Sequence, residues 1–300
     1  MKKCLVTGGA GFIGSNLVDH LLSNGHEVIV VDNESANSHD EYYWNDVCTN
    51  YKFDLSFEEN LGRLISICTD VDYIFHLASD VSIPYCIEKP HRAYLNNVAS
   101  LSHVLEAARV CQVERVVFSS TAAIYGMTNS VCVETATPDP LNPYSVSKLS
   151  GEYLMKMYYD LYNVKTVSLR YFNVYGPRQP ETGQYAPVMG IFLKQRNEGK
   201  TLTVVGDGLQ TRDFIHVSDI AVANLMVAEK DAETYGQVYN VGTGNATSVK
   251  KIAKLISDRI EHIPPRPAEA RHSLSNINKI KNTYGWQPNI KLDEWIVAQL

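Results

Sequence analysis

Lys3-Cys4-Leu5-Val6-Thr7-Gly8-Gly9-Ala10-Gly11-Phe12-Ile13-Gly14 is the stretch that decides how this chain folds. A short apolar run leads straight into Gly8, Gly11 and Gly14, spaced G-x-x-G-x-x-G, and an amphipathic helical pattern follows over 13–22. Glycines placed this way permit a tight turn, a close approach of backbone to a pyrophosphate, and close packing of helix on strand. The helix start adds free N–H groups and the positive end of the helix dipole. A glycine cluster also serves ordinary turns; its position between strand and helix makes this one a candidate phosphate cradle.

Outward from that turn, the second apolar run, 28–31, ends at Asp32, 18 residues beyond Gly14. In dinucleotide sites an acid about 20 residues past the glycines holds the adenosine ribose hydroxyls. Such a carboxylate repels a 2′-phosphate, and no arginine follows in 33–37, so the pattern favours NAD over NADP. Asp54-Leu55 closes the third strand, where an acid suits the adenine amino group. Gly8, Gly11, Phe12, Ile13, Gly14, Asp32, Asn33, Asp54 and Leu55 are the cofactor residues expected from this half.

Further strand-like runs at 73–77, 115–119 and 166–170 alternate with helical stretches at 57–67, 97–110 and 145–162. Such alternation builds βαβ units and a parallel sheet covered on both faces, an α/β Rossmann-type doubly wound fold. From about 173 the pattern changes to turn-rich sequence, a helix over 187–197, a strand at 201–205 and a helix over 218–230. Ile263-Pro264-Pro265-Arg266-Pro267 suits neither a helix nor a central strand. The expected division is a NAD-binding domain over 1–172 and a smaller α/β substrate lobe over 173–300, interleaved with it.

Composition narrows the function. The 300 residues are 45% apolar and 20% charged, as in globular proteins generally. Lys plus Arg number 27 against 33 Asp plus Glu, a net charge of −6, so there is no basic excess for a nucleic-acid backbone. The six cysteines are widely spaced and form no C-x-x-C, which fits buried thiols in a reducing cytosol rather than a metal site. The first apolar run is too short for a signal peptide, and none reaches the roughly 20 residues of a membrane span. A cytoplasmic location with no membrane partner is expected.

Tyr144-Ser145-Val146-Ser147-Lys148 carries the chemistry. Residues four apart share a helix face, so the lysine ammonium stands beside the phenol. A phenol with pKa about 10 is a poor base at neutral pH. A cation next to it, together with the positive nicotinamide ring of bound NAD, favours phenolate. The tyrosine then takes a proton from a carbinol while hydride leaves. Y-x-x-x-K alone is common; here it follows a nucleotide site and a strand ending Ser119-Ser120-Thr121, whose threonine hydroxyl can hold the reacting oxygen.

With these motifs, His76-Leu77-Ala78, the segment 170–178, and Gly206-Asp207-Gly208 with Thr211-Arg212-Asp213-Phe214, the chain resembles the extended short-chain dehydrogenase/reductases of the nucleotide-sugar epimerase/dehydratase family. The resemblance covers residues 1 to about 295. It implies that Thr121 and Tyr144 face the sugar 4-hydroxyl and that Lys148 holds the nicotinamide ribose. It places Leu77, Ala78, Asn97, Ser119 and Tyr171 at the cofactor and Ser82 at the substrate. It assigns Asn173, Arg212 and Arg266 to the diphosphate, a task that suits the arginine fork. It assigns Glu269 to the uridine ribose and Ser273 to the sugar. It also implies a homodimer built from helices 97–110 and 145–162; Leu101, Val104, Leu105, Ala108, Leu149, Tyr153 and Met157 allow such a bundle and equally allow packing on the chain's own sheet.

Related dehydratases carry Asp-Glu directly after the threonine, and decarboxylases a glutamate two positions on. Ala122-Ala123 stand there in this chain. The reaction so implied is redox-neutral 4-epimerisation through a 4-keto sugar. The small Ser273, where glucose/galactose-restricted relatives place tyrosine, leaves room for a 2-acetamido group. UDP-GlcNAc/UDP-GalNAc is the first expected pair and UDP-Glc/UDP-Gal the second, with UDP-glucuronate behind them. A one-way keto-sugar reductase and a non-catalytic NAD-binding regulator are the alternatives. Asp80 departs from the small or apolar residues usual at its position.

Overall fold

The computed structural model describes residues 1–36, 41–182, 186–265 and 271–300. Arg266 and Glu269, expected at the substrate, lie outside the described residues. The apolar runs become strands β1 (Lys3–Thr7), β2 (Glu27–Asp32), β4 (Tyr73–His76), β5 (Arg115–Thr121) and β6 (Thr166–Tyr171), while the polar, largely exposed Thr49–Lys52 forms β3, which ends two residues before Asp54. The first helices are α1 (Phe12–Ser23), α2 (Leu61–Cys68), α3 (Ile83–Glu88), α4 (Pro90–Tyr94), α5 (Ser100–Cys111) and α6 (Pro143–Tyr162). The helix expected over 97–110 opens as a π-helical turn, Leu95–Ala99. Helix α6 starts at a capping box: Asn142 Oδ1 accepts from Ser145 N–H and Ser145 Oγ from Asn142 N–H.

The second half supplies β7 (Asn173–Tyr175), α7 (Val188–Asn197), β8 (Leu202–Val205), β9 (Thr211–His216), α8 (Val217–Glu229) and β10 (Gln237–Val241). It continues with β11 (Ala246–Ser248), α9 (Val249–Ile256), β12 (Ile260–Ile263), α10 (Asn278–Tyr284) and α11 (Leu292–Ala298).

Seven strands form one parallel sheet in the order β10-β6-β5-β4-β1-β2-β3. Strand order reverses between β1 and β4, and in such sheets ligands bind beyond the carboxyl ends at that switch point. One face packs α1 and α8 through Leu17, Val18, Leu21, Ile220 and Ala221; the other packs α2, α5 and α6 through Leu64, Leu101, Leu105 and Met155. β7, β9 and β11 form a small sheet, and β8 pairs with β12. These enclose a separate core around Phe192, Val204, Phe214 and Ile252. The last strand of the large sheet, β10, comes from this half of the chain.

For α5 the helix face decides between the two readings. Leu101, Val104, Leu105 and Ala108 are fully buried within their own subunit, because that stripe of α5 faces the sheet. They offer nothing to a second copy. On α6, Tyr153 is 62% exposed and Val146 is exposed two turns before it; Ile87 of α3 and Tyr94 of α4 are exposed as well. No described helix is long and apolar enough to cross a membrane.

Candidate active site

A cleft of about 340 Å³ opens over the carboxyl ends of the strands at the switch point. Its floor is the glycine turn. Gly8 has φ +69°, and a Cβ there would lie 2.7 Å from Ala78 N. A Cβ on Gly14 would lie 2.0 Å from the Gly8 carbonyl oxygen. Both approaches are backbone on backbone, so no side chain is accommodated. Helix α1 begins at Gly11 with no side-chain cap, which leaves its first N–H groups facing the cleft, as a pyrophosphate requires.

Most expected cofactor residues meet here. Gly8, Gly11, Phe12, Ile13, Gly14, Asp32, Asn33, Asp54, Leu55, Leu77, Ala78, Ser119 and Tyr171 line the cleft. Asp32 accepts from Ala10 N–H (3.1 Å) and Glu34 N–H (2.8 Å), which ties the end of β2 to the glycine turn. Asp54 is ion-paired with Arg92 at 2.6 Å and accepts from Ser56. Burial works against its charge, but the bonds from Ser56 and Arg92 outweigh it and hold the carboxyl below its usual range. Tyr171 turns its hydroxyl away to the Asn224 side chain, at 2.8 and 2.9 Å.

Two residues do other work than expected. Asn97 does not line the cleft, because its amide is spent: it accepts from Asp80 N–H (2.7 Å) and donates to Asp80 O (3.0 Å) and Ser147 Oγ (2.9 Å). Its neighbour Asn96 lines the cleft instead, with Ser100. Ser82 is absent from the lining and caps α3, accepting from Tyr85 N–H at 3.4 Å. Asp80 does reach the cleft, with Asn96 Nδ2 donating to it at 2.6 Å; burial raises its pKa despite that bond. Arg92 and Asn96 carried no local sequence signal, apart from the latter's place in an Asn pair.

Thr121, Tyr144 and Lys148 come together at the deep end. The Thr121 hydroxyl, which accepts from Ala123 N–H at 3.1 Å, lies beside the Tyr144 phenol in the cleft lining. Lys148 Nζ donates to the Ser119 carbonyl at 2.8 Å and lies 4.9 Å over the Phe118 ring. Without ligand, burial dominates both groups. It pushes the phenol up to about 12, against the lowering influence of Thr121, and the lysine down to about 7. The expected lowering of the tyrosine by the lysine is therefore not seen; desolvation of the phenol wins. Ala122 and Ala123 follow in a short 3-10 turn.

A second cavity of about 320 Å³ adjoins the first; Val174 and Pro187 line both. It contains Asn173 and Arg212, whose Nη1 donates to Thr211 O at 2.9 Å. Ser273 lines neither cavity; its N–H donates to Thr211 O at 3.1 Å, beside Arg212.

A phosphate-binding helix start and a Tyr–Lys helix sharing one cleft define a dinucleotide-dependent enzyme of the short-chain dehydrogenase/reductase type. The profile of the NAD dependent epimerase/dehydratase family matches residues 4–242. A putative UDP-glucose 4-epimerase of Methanocaldococcus jannaschii is 35% identical over 300 residues, 97% of this chain and 95% of that one. The UDP-N-acetylglucosamine 4-epimerase of Methanobrevibacter ruminantium, solved with UDP-N-acetylmuramic acid, superposes with TM-score 0.90 at 33% identity, covering 100% and 99% of the two chains. The Thermus thermophilus UDP-glucose 4-epimerase, solved with NAD, gives 0.88 at 32%, covering 98% and 96%. The chain belongs to the NAD dependent epimerase/dehydratase family.

Proposed function

We propose that this chain is a UDP-hexose 4-epimerase that interconverts UDP-GlcNAc with UDP-GalNAc, UDP-Glc with UDP-Gal, or both pairs. The observation that carries this is the meeting of Thr121, Tyr144 and Lys148 in one cleft, with two alanines directly after Thr121 where elimination would need an acid. NAD, when bound, supplies the hydride acceptor for C4 and returns the hydride.

Tyr144 takes the 4-hydroxyl proton and later gives it back. Thr121 holds the same oxygen. Lys148, fixed by Ser119, binds the nicotinamide ribose and, when charged, favours the phenolate. With no base placed at 122 or 123 to remove a further proton, the 4-keto sugar has one outlet, reduction from the opposite face. Gly8, Gly11 and Gly14 take the pyrophosphate and Asp32 the adenosine ribose. Asn173 and Arg212, with Arg266, take the diphosphate of the sugar nucleotide; Glu269 takes the uridine ribose, and Ser273 leaves space at C2.

We also propose a homodimer through the exposed face of α6 around Tyr153, and a cytoplasmic location consistent with six unpaired thiols. The test is proton NMR of the anomeric signals with UDP-GlcNAc and UDP-Glc, without added NAD. New 4-epimer signals in either tube support the reading. A sugar that changes only with stoichiometric reduced or oxidised cofactor makes the chain a one-way oxidoreductase instead. Silence in both tubes, with NAD added, rejects the reading.

A further inference from the structure

Directly beneath the reacting groups lies a buried ion pair that the proposed chemistry does not use. Glu152 and Arg170 are each about 97% shielded, with side-chain exposures of 4% and 3%. Arg170 Nε donates to Glu152 Oε1 at 2.8 Å and Nη2 to Oε2 at 2.7 Å, a two-pronged contact that fixes the plane of both groups. Ser120 Oγ donates to the same Oε1 at 2.5 Å.

We propose that Glu152 and Arg170 are positioning residues that hold the end of β5 and the catalytic face of α6 in a single register. Residues 144, 148 and 152 recur every fourth position and so share one face of α6. Three consecutive residues of β5 meet them. Thr121 lies beside Tyr144 in the cleft, Ser119 accepts from Lys148, and Ser120 donates to Glu152. Ser120 is also the register partner of Arg170 on β6, so helix, strand and neighbouring strand are joined at one point. A slip of α6 along β5 breaks all three contacts together.

The pair also reaches toward the substrate half. The Arg170 guanidinium stacks 4.7 Å over the Tyr125 ring, and Tyr125 Oη donates to Asn240 Oδ1 at 2.7 Å. Asn240 Nδ2 then donates to Cys132 O (2.9 Å) and Asn276 O (3.3 Å), three residues past Ser273. Stability alone does not call for such a pair. Two apolar residues of similar volume fill a buried site at least as well, because the desolvation of two charges offsets their attraction. What an apolar pair lacks is direction.

The kinetic part of the test rests on the epimerase reading, and a second readout does not. Ser120→Ala removes one hydroxyl and leaves the two buried charges paired with each other; Glu152→Leu with Arg170→Met replaces the pair by apolar residues. Expected for the double variant are an unfolding temperature at or above the wild type and a kcat lower by about 10- to 100-fold, with KM little changed. Ser120→Ala shows the same kcat-only loss, smaller in size. The second readout is the ionisation of Tyr144 in the NAD-loaded protein, taken as the tyrosinate absorbance that disappears in Tyr144→Phe. It moves to higher pH in both variants, because the phenol loses its set distance to Lys148. Wild-type kcat and an unmoved Tyr144 titration in Ser120→Ala and in the double variant overturn the proposal. If the double variant does not fold, Ser120→Ala decides by the same two readouts. If the wild type epimerises no UDP-hexose, the function reading fails, and the titration alone decides the positioning role.

Discussion

At Tyr144 and Lys148 the fold holds two groups at protonation equilibria that water would not allow. Lys148 is lowered to about 7 by burial, from 10.5. Between those values the unfolded chain binds the extra proton, so the stability of the unliganded protein rises with pH through that window. Lys148→Met removes the penalty. The variant is expected to be more stable than the wild type by roughly 4 kcal/mol at pH 7, with the gain vanishing near pH 10.5; denaturant melts across pH measure it. It is also expected to be inactive, the sign of a residue kept for chemistry at the expense of the fold. Tyr144→Phe, by contrast, removes only the phenol oxygen and leaves the packing alone. Turnover is expected to fall on the order of a thousandfold with NAD still bound, as general acid–base groups generally contribute. Ser273→Tyr is expected to abolish turnover of UDP-GlcNAc while sparing UDP-Glc, read from the same NMR signals; equal loss on both would separate Ser273 from sugar choice.

Elements and their joints explain how much of this was legible in the chain. Five strands of the large sheet could be read because they are apolar runs such as Val28–Val31, buried on both faces; the polar, exposed edge strand β3 and the late strand β10 gave no such run. The glycine turn could be read because backbone clashes at Gly8 and Gly14 leave no other residue type possible. Gly14→Ala is therefore expected to abolish NAD binding, as followed by cofactor retention through purification. What could not be read were side chains whose task depends on a distant partner. Asn97 looks like a cofactor ligand until Asp80 and Ser147 are seen to occupy it, and Asp54 gave no hint of Arg92, 38 positions on. His216 is another such joint. It ends β9, its Nδ1 accepts from Ser218 N–H at the start of α8, and its ring packs among Tyr175 and Trp295. Burial lowers it to about 4, from 6.5, so the unfolded state takes up its proton first as pH falls. Stability declines from about pH 6.5 toward 4, by roughly 3 kcal/mol for this residue. His216→Asn keeps an acceptor for the cap and is expected to flatten that decline in melting curves, with buried His76 leaving a residual slope.

For the whole molecule, the exposed apolar face of α6 gives the dimer its test. Tyr153→Glu is expected to convert a sedimenting dimer to a monomer without disturbing the buried Lys148 and Glu152, which point away from solvent; a wild type that sediments as a monomer removes the dimer from the reading. The placing of β10 beside β6, and of α8 against α1, has a consequence for synthesis. A growing chain that has passed residue 176 holds every other strand of the large sheet yet lacks its last one. Its β6 edge is unpaired, and Leu17, Val18 and Leu21 of α1 are uncovered, until residues 217–241 leave the ribosome. Unpaired edges and bare apolar faces recruit other chains. Translation arrested in that interval is expected to yield an insoluble fragment, and a gene trimmed after codon 176 to express as inclusion bodies rather than as a minimal nucleotide-binding protein.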